Sequence, residues 1–266
     1  IALSTDLACA RQAETVVISI GSQGLQGLMD QLKPLSLRDR IFVLCMKGLE
    51  QGTGRRLSQI AEENLDPSNA VAVWLGPGHV QEFYRGIPNC MVIDSRREDV
   101  KRRLVQSFSS DLIRFYYGDD LIGNEVGAAA KNVVGIAAGF LDGKGLSSLK
   151  GALMSRGTRE VARLIQAMGG SQLSAYGLCH LGDYEATVFS RYSHNRQFGE
   201  SFIRGETYTD LAEGYYTVEA LVLLGQRYGV ELPICQAVHR VLYCGADPMQ
   251  ELRALLDRNL TREFGE

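Results

Sequence analysis

The segment of residues 123–139, GNEVGAAAKNVVGIAAG, marks the centre of the predicted fold. On an α-helix, residues four apart lie on nearly the same face, so one ridge of this segment reads Gly123, Gly127, Lys131, Gly135 and Gly139. Each glycine weakens a helix by about 1 kcal/mol relative to alanine. Four glycines on one ridge therefore indicate a helix that another backbone or a ligand approaches closely.

Lys131 stands alone among these glycines, in a helix built largely from Ala, Val and Ile. In that setting its ammonium group is partly desolvated, and desolvation lowers the pKa of a lysine toward values useful in catalysis. The alternative is a tightly packed interdomain helix whose lysine extends to water. The G-x-x-x-G spacing also occurs in membrane helix pairs, but Glu125, Lys131 and Asn132 argue against a membrane helix.

Toward the N-terminus, short apolar runs alternate with helical patterns. The runs are rich in β-branched residues and predict strands buried on both faces of a parallel sheet: residues 15–20 (TVVISI), 41–45 (IFVLC), 71–74 (VAVW) and 90–93 (CMVI). Between them, apolar residues recur at helical spacing, as at Leu25, Leu28, Met29 and Leu32, and again at Leu57, Ile60 and Leu65. This alternation predicts a doubly wound α/β domain, whose ligands bind at the carboxyl ends of the strands.

Toward the C-terminus, the sequence changes to helices alone. The helical patterns cover residues 123–141, 149–168, 209–229, 233–242 and 248–260. Pro233 and Pro248 lie near the starts of their elements, where a missing N–H group is tolerated. We therefore predict an α/β domain over residues 1–118 and an all-helical domain over residues 119–266.

The composition excludes two classes of protein. The 266 residues include 28 Lys and Arg against 31 Asp and Glu, which gives a net charge of −3, and 45% of the residues are hydrophobic. So much apolar surface with so little net charge argues against an intrinsically disordered chain. The absence of excess positive charge argues against a nucleic-acid-binding module.

The sequence also bears on the compartment. It has no run of about 18 uncharged apolar residues, and its first residues lack an apolar signal core. The six cysteines are scattered, without a C-x-x-C pair or the spacing of zinc ligands. This pattern favours small buried thiols in a reducing compartment over a disulfide framework or a metal site. We therefore expect a cytoplasmic protein with no metal centre and no membrane span.

Further candidate functional residues lie outside the glycine-rich helix. Lys47 follows a predicted strand and precedes Gly48, which places it at a strand's carboxyl end; an ordinary solvated loop lysine is the alternative. Gly182-Asp183 with Thr187, and Ser193 to Arg196, combine small polar donors with a cation, as phosphate or carboxylate recognition requires. Solvated turns with local hydrogen bonds are the alternative. We interpret His180 as structural and Glu213 as a cap at a helix N-terminus.

Taken together, these segments are similar to those of NAD(P)-dependent glycerol-3-phosphate dehydrogenases, over essentially the whole chain. The order and spacing of the matching segments carry the resemblance. They are Gly21-Ser22-Gln23, Lys47-Gly48-Leu49-Glu50, Gly76-Pro77, Gly127, Lys131-Asn132-Val133, Arg156-Gly157, Leu181-Gly182-Asp183, Ser193, Asn195-Arg196, Phe198-Gly199 and Glu213-Gly214. The resemblance implies an α/β plus all-α fold. A Rossmann-like parallel-sheet domain, incomplete at the N-terminus, precedes an all-helical domain like that of 6-phosphogluconate dehydrogenase.

The resemblance implies hydride transfer between NAD or NADP and the C2 atom of dihydroxyacetone phosphate or glycerol 3-phosphate, in the synthesis of phospholipid precursors. It assigns Lys131 as the acid/base at the C2 oxygen, Lys47 as a second cation, and Asp183 as the group that orients Lys131. Carbonyl reduction builds negative charge on oxygen, which a positioned ammonium group stabilises and protonates. The residues implied for substrate binding are Gly76, Asn132, Thr187, Ser193 and Asn195. Those implied for cofactor binding are Ser22, Lys47, Val80, His194 and Glu213.

The chain departs from the family pattern at three positions. Leu75 stands where the family usually has Ser, and Gly78 where it has Ser or Thr. His194 replaces the family's Arg, which contacts the substrate phosphate and the cofactor. Because histidine is mostly neutral at pH 7, this change weakens phosphate binding. Arg191 and Arg196 are the candidates to compensate.

A G-x-G-x-x-G turn, which holds a pyrophosphate at a helix N-terminus, is absent from this sequence. Family members carry that turn in a first β-α-β unit upstream of the segment matching Ile1. A chain that begins with Ile1 rather than Met is then expected to be a fragment of such an enzyme. The residue that distinguishes NAD from NADP also follows a strand of that unit, so the cofactor is NAD or NADP.

Two other functions stay open. Leu75, Gly78 and His194 fit a paralogous dehydrogenase for another small hydroxy acid or sugar phosphate. The missing phosphate-binding turn fits a binding or scaffold protein that has lost cofactor binding. For the leading interpretation, the expected partners are a small phosphorylated substrate and, by analogy with similar enzymes, a second copy of the chain.

Overall fold

The structure, a computed structural model, describes residues 2–258 and residue 263. The first part of the chain forms a sheet of five strands in the order β1-β2-β3-β4-β5. Its elements are β1 (Thr15–Ile18), α1 (Leu25–Leu32), β2 (Ile41–Leu44), α2 (Leu57–Asn64), β3 (Ala70–Leu75), α3 (Val80–Tyr84), β4 (Asn89–Ser95), α4 (Glu98–Phe108) and β5 (Ile113–Tyr117). The four strands predicted from apolar runs are present.

Strand β2 shows why those runs form the centre of the sheet. All its residues are buried. Phe42 and Leu44 belong to an apolar cluster shared with α1 and α2, whereas Ile41 and Val43 belong to one shared with α4. Helices therefore cover both faces of this strand, and an uninterrupted apolar run is what that position requires.

Strand β5 was missed, as were helices α3 and α4. β5 lies at the edge of the sheet and has the sequence IRFYY. Phe115 is its one buried residue, while Tyr116 and Tyr117 are about half exposed. An edge strand with one covered face lacks the continuous apolar run by which the central strands are recognised.

One strand direction differs from the prediction of a parallel sheet. β4 pairs antiparallel with β3, with Trp74 opposite Ile93, whereas the other three pairings are parallel. The connection between them holds only the five-residue helix α3. Parallel neighbours are usually joined by a helix that runs the length of the strand, and α3, about 7.5 Å long beside the roughly 20 Å of the six-residue β3, is shorter than that. The Rossmann-like architecture is confirmed, with a mixed rather than wholly parallel sheet.

From Leu121 onward, the structure is helical, as predicted. The helices are α5 (Leu121–Gly143), α6 (Lys150–Ala167), α7 (His194–Arg204), α8 (Glu213–Tyr228), α9 (Pro233–Cys244) and α10 (Pro248–Leu256). Helix α7 was missed because its first residues are polar; Ser193 caps it by accepting the N–H of Arg196 at 3.3 Å. Residues 259–260 of the last predicted helix lie outside the described residues. The division at residues 118 and 119 stays a prediction, although β5 ends at Tyr117 and α5 begins at Leu121.

The glycine ridge of α5 is a site of close backbone approach, as its sequence indicated. A Cβ atom on Gly139 would overlap the carbonyl oxygen of Arg196 and lie 2.9 Å from the Cα of Gly199, both on α7. A Cβ on Gly135 would lie 2.8 Å from Cγ2 of Thr187. Helix α7 and the turn before it can therefore lie directly against α5 only because these positions are glycine.

We predict that Gly139→Ala lowers the free energy of unfolding by about 2 kcal/mol, because the added methyl group overpacks a backbone contact. Urea denaturation measures the change. Gly151→Ala on α6 is the matched control, since nothing lies within 4 Å of the Cβ position there. That control is expected to leave stability unchanged or to raise it by up to about 1 kcal/mol. Equal unfolding midpoints for Gly139→Ala and the wild type would contradict the prediction.

A buried ion pair joins the α/β part of the chain to α5. Arg56 Nη1 lies 2.5 Å from Glu125 Oε2, and both side chains are buried. Glu125 also accepts the backbone N–H of Ser58 at 2.8 Å, which satisfies an otherwise unpaired donor in the first turn of α2. The segment between β2 and α2, which carries Lys47, is thereby fixed against the helix that carries Lys131.

The structure also bears on membranes and on the cysteines. Within the described part of the chain, no helix has both the length and the apolarity needed to cross a membrane. All six cysteines are free thiols. Cys179 and Cys235 are buried as expected for such residues, whereas Cys9 and Cys244 are exposed, so the expectation of buried cysteines is wrong for those two.

Candidate active site

A pocket of about 310 Å³ opens where β1 and β2 end, and residues of α5 form part of its wall. It collects residues from both parts of the chain. Of the predicted site residues, those that line it are Lys47, Lys131, Asn132, Asp183, Thr187, Ser193, His194, Asn195 and Glu213. The carboxyl edge of an α/β sheet is where such folds bind ligands, so this is the candidate active site.

Lys131 is buried at the base of this pocket, so its side chain does not extend to water. Its Nζ donates to Thr187 Oγ1 at 2.7 Å and lies 2.9 Å from Asp183 Oδ2. Burial lowers the pKa of Lys131 to about 8, opposed by the charge of Asp183 and assisted by that of Lys47. A lysine with this pKa can both donate and accept a proton near neutral pH.

Lys47 shares the same carboxylate oxygen. Its Nζ lies 2.7 Å from Asp183 Oδ2 and donates to the carbonyl oxygen of Gly76 at 2.5 Å. Asp183 is buried, and its Oδ1 atom has no hydrogen-bond partner among the described residues. Two ammonium groups on one carboxylate leave a net charge of +1, which suits the binding of an anion or of an oxygen that gains negative charge.

Short helical turns hold these side chains in place. Asp183 ends a 3₁₀ turn, Leu181–Asp183, and Thr187 lies in the π-helical turn Glu185–Phe189 that follows. Asn132, next to Lys131 on α5, donates through Nδ2 to the carbonyl oxygen of Lys47 at 2.8 Å. The backbone of the β2–α2 connection is therefore bonded to the same helix that carries Lys131.

His180 lies behind the site and is fully buried. Its Nδ1 is 2.8 Å from the carbonyl oxygen of Gly127, one turn before Lys131 on α5, and its Nε2 is 2.8 Å from the hydroxyl of Tyr184. Burial lowers the pKa of His180 to about 4, so the ring is neutral at neutral pH. This geometry fits a structural histidine that joins the turn carrying Asp183 to α5.

A second set of contacts brings Ser22 to Glu213. The backbone N–H of Ser22 donates to Glu213 Oε1 at 2.7 Å, and its hydroxyl group donates to Oε2. A Cβ atom on Gly48 would lie 2.7 Å from Ser22 Cβ, so the residue after Lys47 must be small. Nearby, Asn195 Oδ1 accepts the backbone N–H of Gly214 at 2.8 Å, in the first turn of α8.

Three predicted residues do not line the pocket. Gly76 reaches the site through its carbonyl group, which binds Lys47. Ser22 reaches it through Glu213. Val80 begins α3 and is 64% exposed, with no part in the pocket wall. The individual roles assigned to the site residues stay predictions.

The candidate cations for binding the substrate phosphate are His194, Arg191 and Arg196, and their surroundings differ. His194 is exposed, with Nδ1 2.8 Å from the hydroxyl of Tyr208. Arg196 is bonded to Asp142 and Glu200 and does not line the pocket. The guanidinium of Arg191 lies over the ring of Tyr192, which does line the pocket.

The sequence patterns did not single out several pocket residues. His79, Tyr192, Cys45 and Ala186 line the wall near Lys131. The sequence could have indicated His79, because it follows Gly76-Pro77-Gly78, directly after the carboxyl end of β3. Ile20, Met46 and Leu211 form an apolar part of the wall. An apolar wall beside two lysines fits the nicotinamide end of a dinucleotide, whereas the turn that would hold its pyrophosphate is not in this sequence.

Comparison with known proteins gives concordant results. Two family models match: the NAD-dependent glycerol-3-phosphate dehydrogenase N-terminus over residues 1–101 and the corresponding C-terminus over residues 120–253. The glycerol-3-phosphate dehydrogenase [NAD(P)+] of Thermus thermophilus is 39% identical over 258 residues, covering 94% of this chain and 78% of that protein. The enzyme of the same name from Chlorobium limicola is 34% identical over 261 residues, with the same coverage.

Solved structures agree with these sequence matches. The crystal structure of glycerol-3-phosphate dehydrogenase from Coxiella burnetii superposes with a TM-score of 0.89 at 29% identity, covering 95% of this chain and 80% of that one. D-mandelate dehydrogenase in complex with NADH superposes with a TM-score of 0.59 at 14% identity, covering 88% and 79%. The second likeness is one of fold alone.

Proposed function

The chain belongs to the NAD-dependent glycerol-3-phosphate dehydrogenase family, and from this premise we propose that it reduces dihydroxyacetone phosphate to sn-glycerol 3-phosphate with NADH or NADPH. The observation that carries the proposal is the pair of ammonium groups, Lys47 and Lys131, on one buried oxygen of Asp183 in a pocket at the strand ends. The product is a precursor of glycerophospholipids, and the proposed compartment is the cytoplasm.

In this mechanism, Lys131 donates its proton to the C2 oxygen of the substrate as negative charge develops there. Lys47 adds a second positive charge near that oxygen. Asp183 orients both lysines through one carboxylate oxygen, and the Thr187 hydroxyl holds Lys131 Nζ at 2.7 Å. The residues that would hold a nicotinamide ring are Ile20, Met46 and Leu211, and that ring, when bound, supplies the hydride.

The substrate phosphate needs polar partners on the pocket wall. Ser193, His194 and Asn195 lie together there, at the start of α7. Backbone N–H groups at a helix start favour an anion. We propose that these residues bind the phosphate.

The pKa of Lys131 predicts opposite pH profiles for the two directions of the reaction. Reduction needs the protonated lysine, so kcat/KM for dihydroxyacetone phosphate is expected to fall as the pH rises through about 8. Oxidation of glycerol 3-phosphate needs the neutral lysine, so its kcat/KM is expected to rise over the same range. Initial rates between about pH 7 and pH 10 measure both profiles. Two profiles that change in the same direction would contradict the assignment of Lys131.

Turnover tests the proposal as a whole. Full-length protein is incubated with NADH or NADPH and dihydroxyacetone phosphate, and oxidation of the cofactor is followed. No oxidation with either cofactor would reject the proposed activity. Sedimentation velocity of the same sample tests the homodimer that we propose alongside it.

A second candidate is a paralogous dehydrogenase for another hydroxy acid or sugar phosphate. The observation that favours it is His194, an exposed histidine where the family has an arginine. A substrate panel decides between the two. Preference for a non-phosphorylated keto acid over dihydroxyacetone phosphate would support this second candidate.

A further inference from the structure

His79 lies on the wall of the pocket but has no role in the mechanism above. The loop that carries it is held in one conformation. Gly78 has φ +147°, a region that favours glycine, and a Cβ atom there would lie 2.9 Å from the ring of Phe83. His79 is therefore placed by a tightly packed glycine loop at the end of β3.

One ring nitrogen of His79 forms a hydrogen bond, and the other has no partner among the described residues. Nε2 lies 2.9 Å from the carbonyl oxygen of Ala186, and because a carbonyl oxygen only accepts, Nε2 carries the hydrogen. Nδ1 forms no hydrogen bond with any described residue. The ring also packs edge-on against Tyr192, with centroids 5.6 Å apart. These contacts fix the tautomer in which Nδ1 is an acceptor.

Three charged groups surround His79, and two of them, Asp183 and Glu82, favour the protonated ring. Lys131 faces it from α5, Asp183 from the 3₁₀ turn and Glu82 from its own helix. Burial is the largest influence and lowers the pKa of His79, so near neutral pH Nδ1 accepts a hydrogen bond and does not donate one.

Most of the charged groups near the reacting atoms are already engaged with one another. Lys47 and Lys131 only donate. Asp183 Oδ2 is bonded to both lysines, and Asp183 Oδ1 is buried. Glu213 is bonded to Ser22, and Asn195 Oδ1 to Gly214. His79 Nδ1 is an acceptor on the pocket wall that none of these contacts occupies.

We propose that His79 Nδ1 accepts a hydrogen bond from the free hydroxymethyl group of the substrate and so selects a ketone phosphate that carries this group. The inference rests on the proposed function, in which the carbonyl and the phosphate of the substrate accept hydrogen bonds from the donors of the site. The hydroxymethyl group is the one part of dihydroxyacetone phosphate that donates a hydrogen bond. His79 is thus a specificity-determining residue.

The experiment compares dihydroxyacetone phosphate with its deoxy analogue, 1-hydroxypropan-2-one phosphate, in which methyl replaces the hydroxymethyl group. Full-length protein with saturating NADH or NADPH is the enzyme. The wild type is expected to prefer dihydroxyacetone phosphate in kcat/KM by about tenfold or more. In His79→Leu, that preference is expected to disappear, because kcat/KM falls for dihydroxyacetone phosphate and not for the analogue. His79→Asn, which keeps an acceptor, restores part of the preference.

Gln81→Ala is the matched control, an exposed residue on the same short helix, and it is expected to keep the wild-type ratio. Equal losses for both substrates in His79→Leu would show a merely structural residue and overturn the inference. A wild type that does not distinguish the two substrates would overturn it as well. If the wild type reduces neither substrate, the proposed function fails and the inference with it.

Discussion

Replacing Lys131 by methionine is expected to lower kcat/KM for the reduction of dihydroxyacetone phosphate by at least about 10³-fold. The variant keeps most of the side-chain volume but removes both the proton donor and one of the two positive charges. Because Lys131 is buried, solvent does not readily replace the lost proton donor. Steady-state rates with saturating cofactor measure the loss.

The control for this variant is Lys144→Met, at the exposed end of the same helix, which is expected to keep wild-type rates. Thermal unfolding of the Lys131 variant shows whether the fold is intact. Because Asp183 retains Lys47 as its partner, we expect a cooperative transition. A rate within tenfold of the wild type would remove Lys131 from the mechanism.

Replacing Asp183 by asparagine is expected to lower kcat at neutral pH by about 10²-fold or more. The change leaves Lys47 and Lys131 close together without their shared counter-charge. Because Asp183 opposes the fall in the pKa of Lys131, its removal lowers that pKa further below about 8. The pH profile for reduction is therefore expected to move toward acid. Leaving buried charges without a partner also lowers the free energy of unfolding by about 3 kcal/mol.

Asp142→Asn separates the effect on chemistry from the effect on stability. Asp142 also binds two cations, Lys150 at 2.6 Å and Arg196 at 2.8 Å, but it lies outside the pocket wall. This variant is expected to lose stability while keeping the wild-type pH profile. An unchanged profile in Asp183→Asn would mean that Asp183 does not tune Lys131.

The glycine ridge shows how much of the site a local pattern can predict. Glycine at four-residue spacing predicted close backbone approach, and α7 lies against that ridge. For Lys131 on the same ridge, the pattern left desolvation and extension to water open, and the structure shows it buried. The prediction of close approach depends only on helix periodicity, which neighbouring residues fix among themselves.

Other features of the structure could not be predicted from a short stretch of sequence. The apolar run of β4 is compatible with either direction, and its antiparallel pairing with β3 accompanies a connection that holds only the short helix α3. The start of α7 is polar and resembles a turn until Ser193 is seen to cap it. The place of His79 on the pocket wall depends on a carbonyl group 107 positions away.

From the sequence alone, the α/β and helical parts and their central strands could be predicted, and Lys47, Lys131 and Asp183 could be named as candidates. Periodic burial and residue type are properties of short segments, whereas the roles expected of the site residues came from the resemblance to a family. The sharing of one Asp183 oxygen by Lys47 and Lys131 appears only in the folded chain, where Lys47 and Asp183, 136 positions apart, are in contact. That contact depends on how the sheet edge, α5 and a 3₁₀ turn pack together, and packing between distant segments sets the distances that local periodicity leaves free.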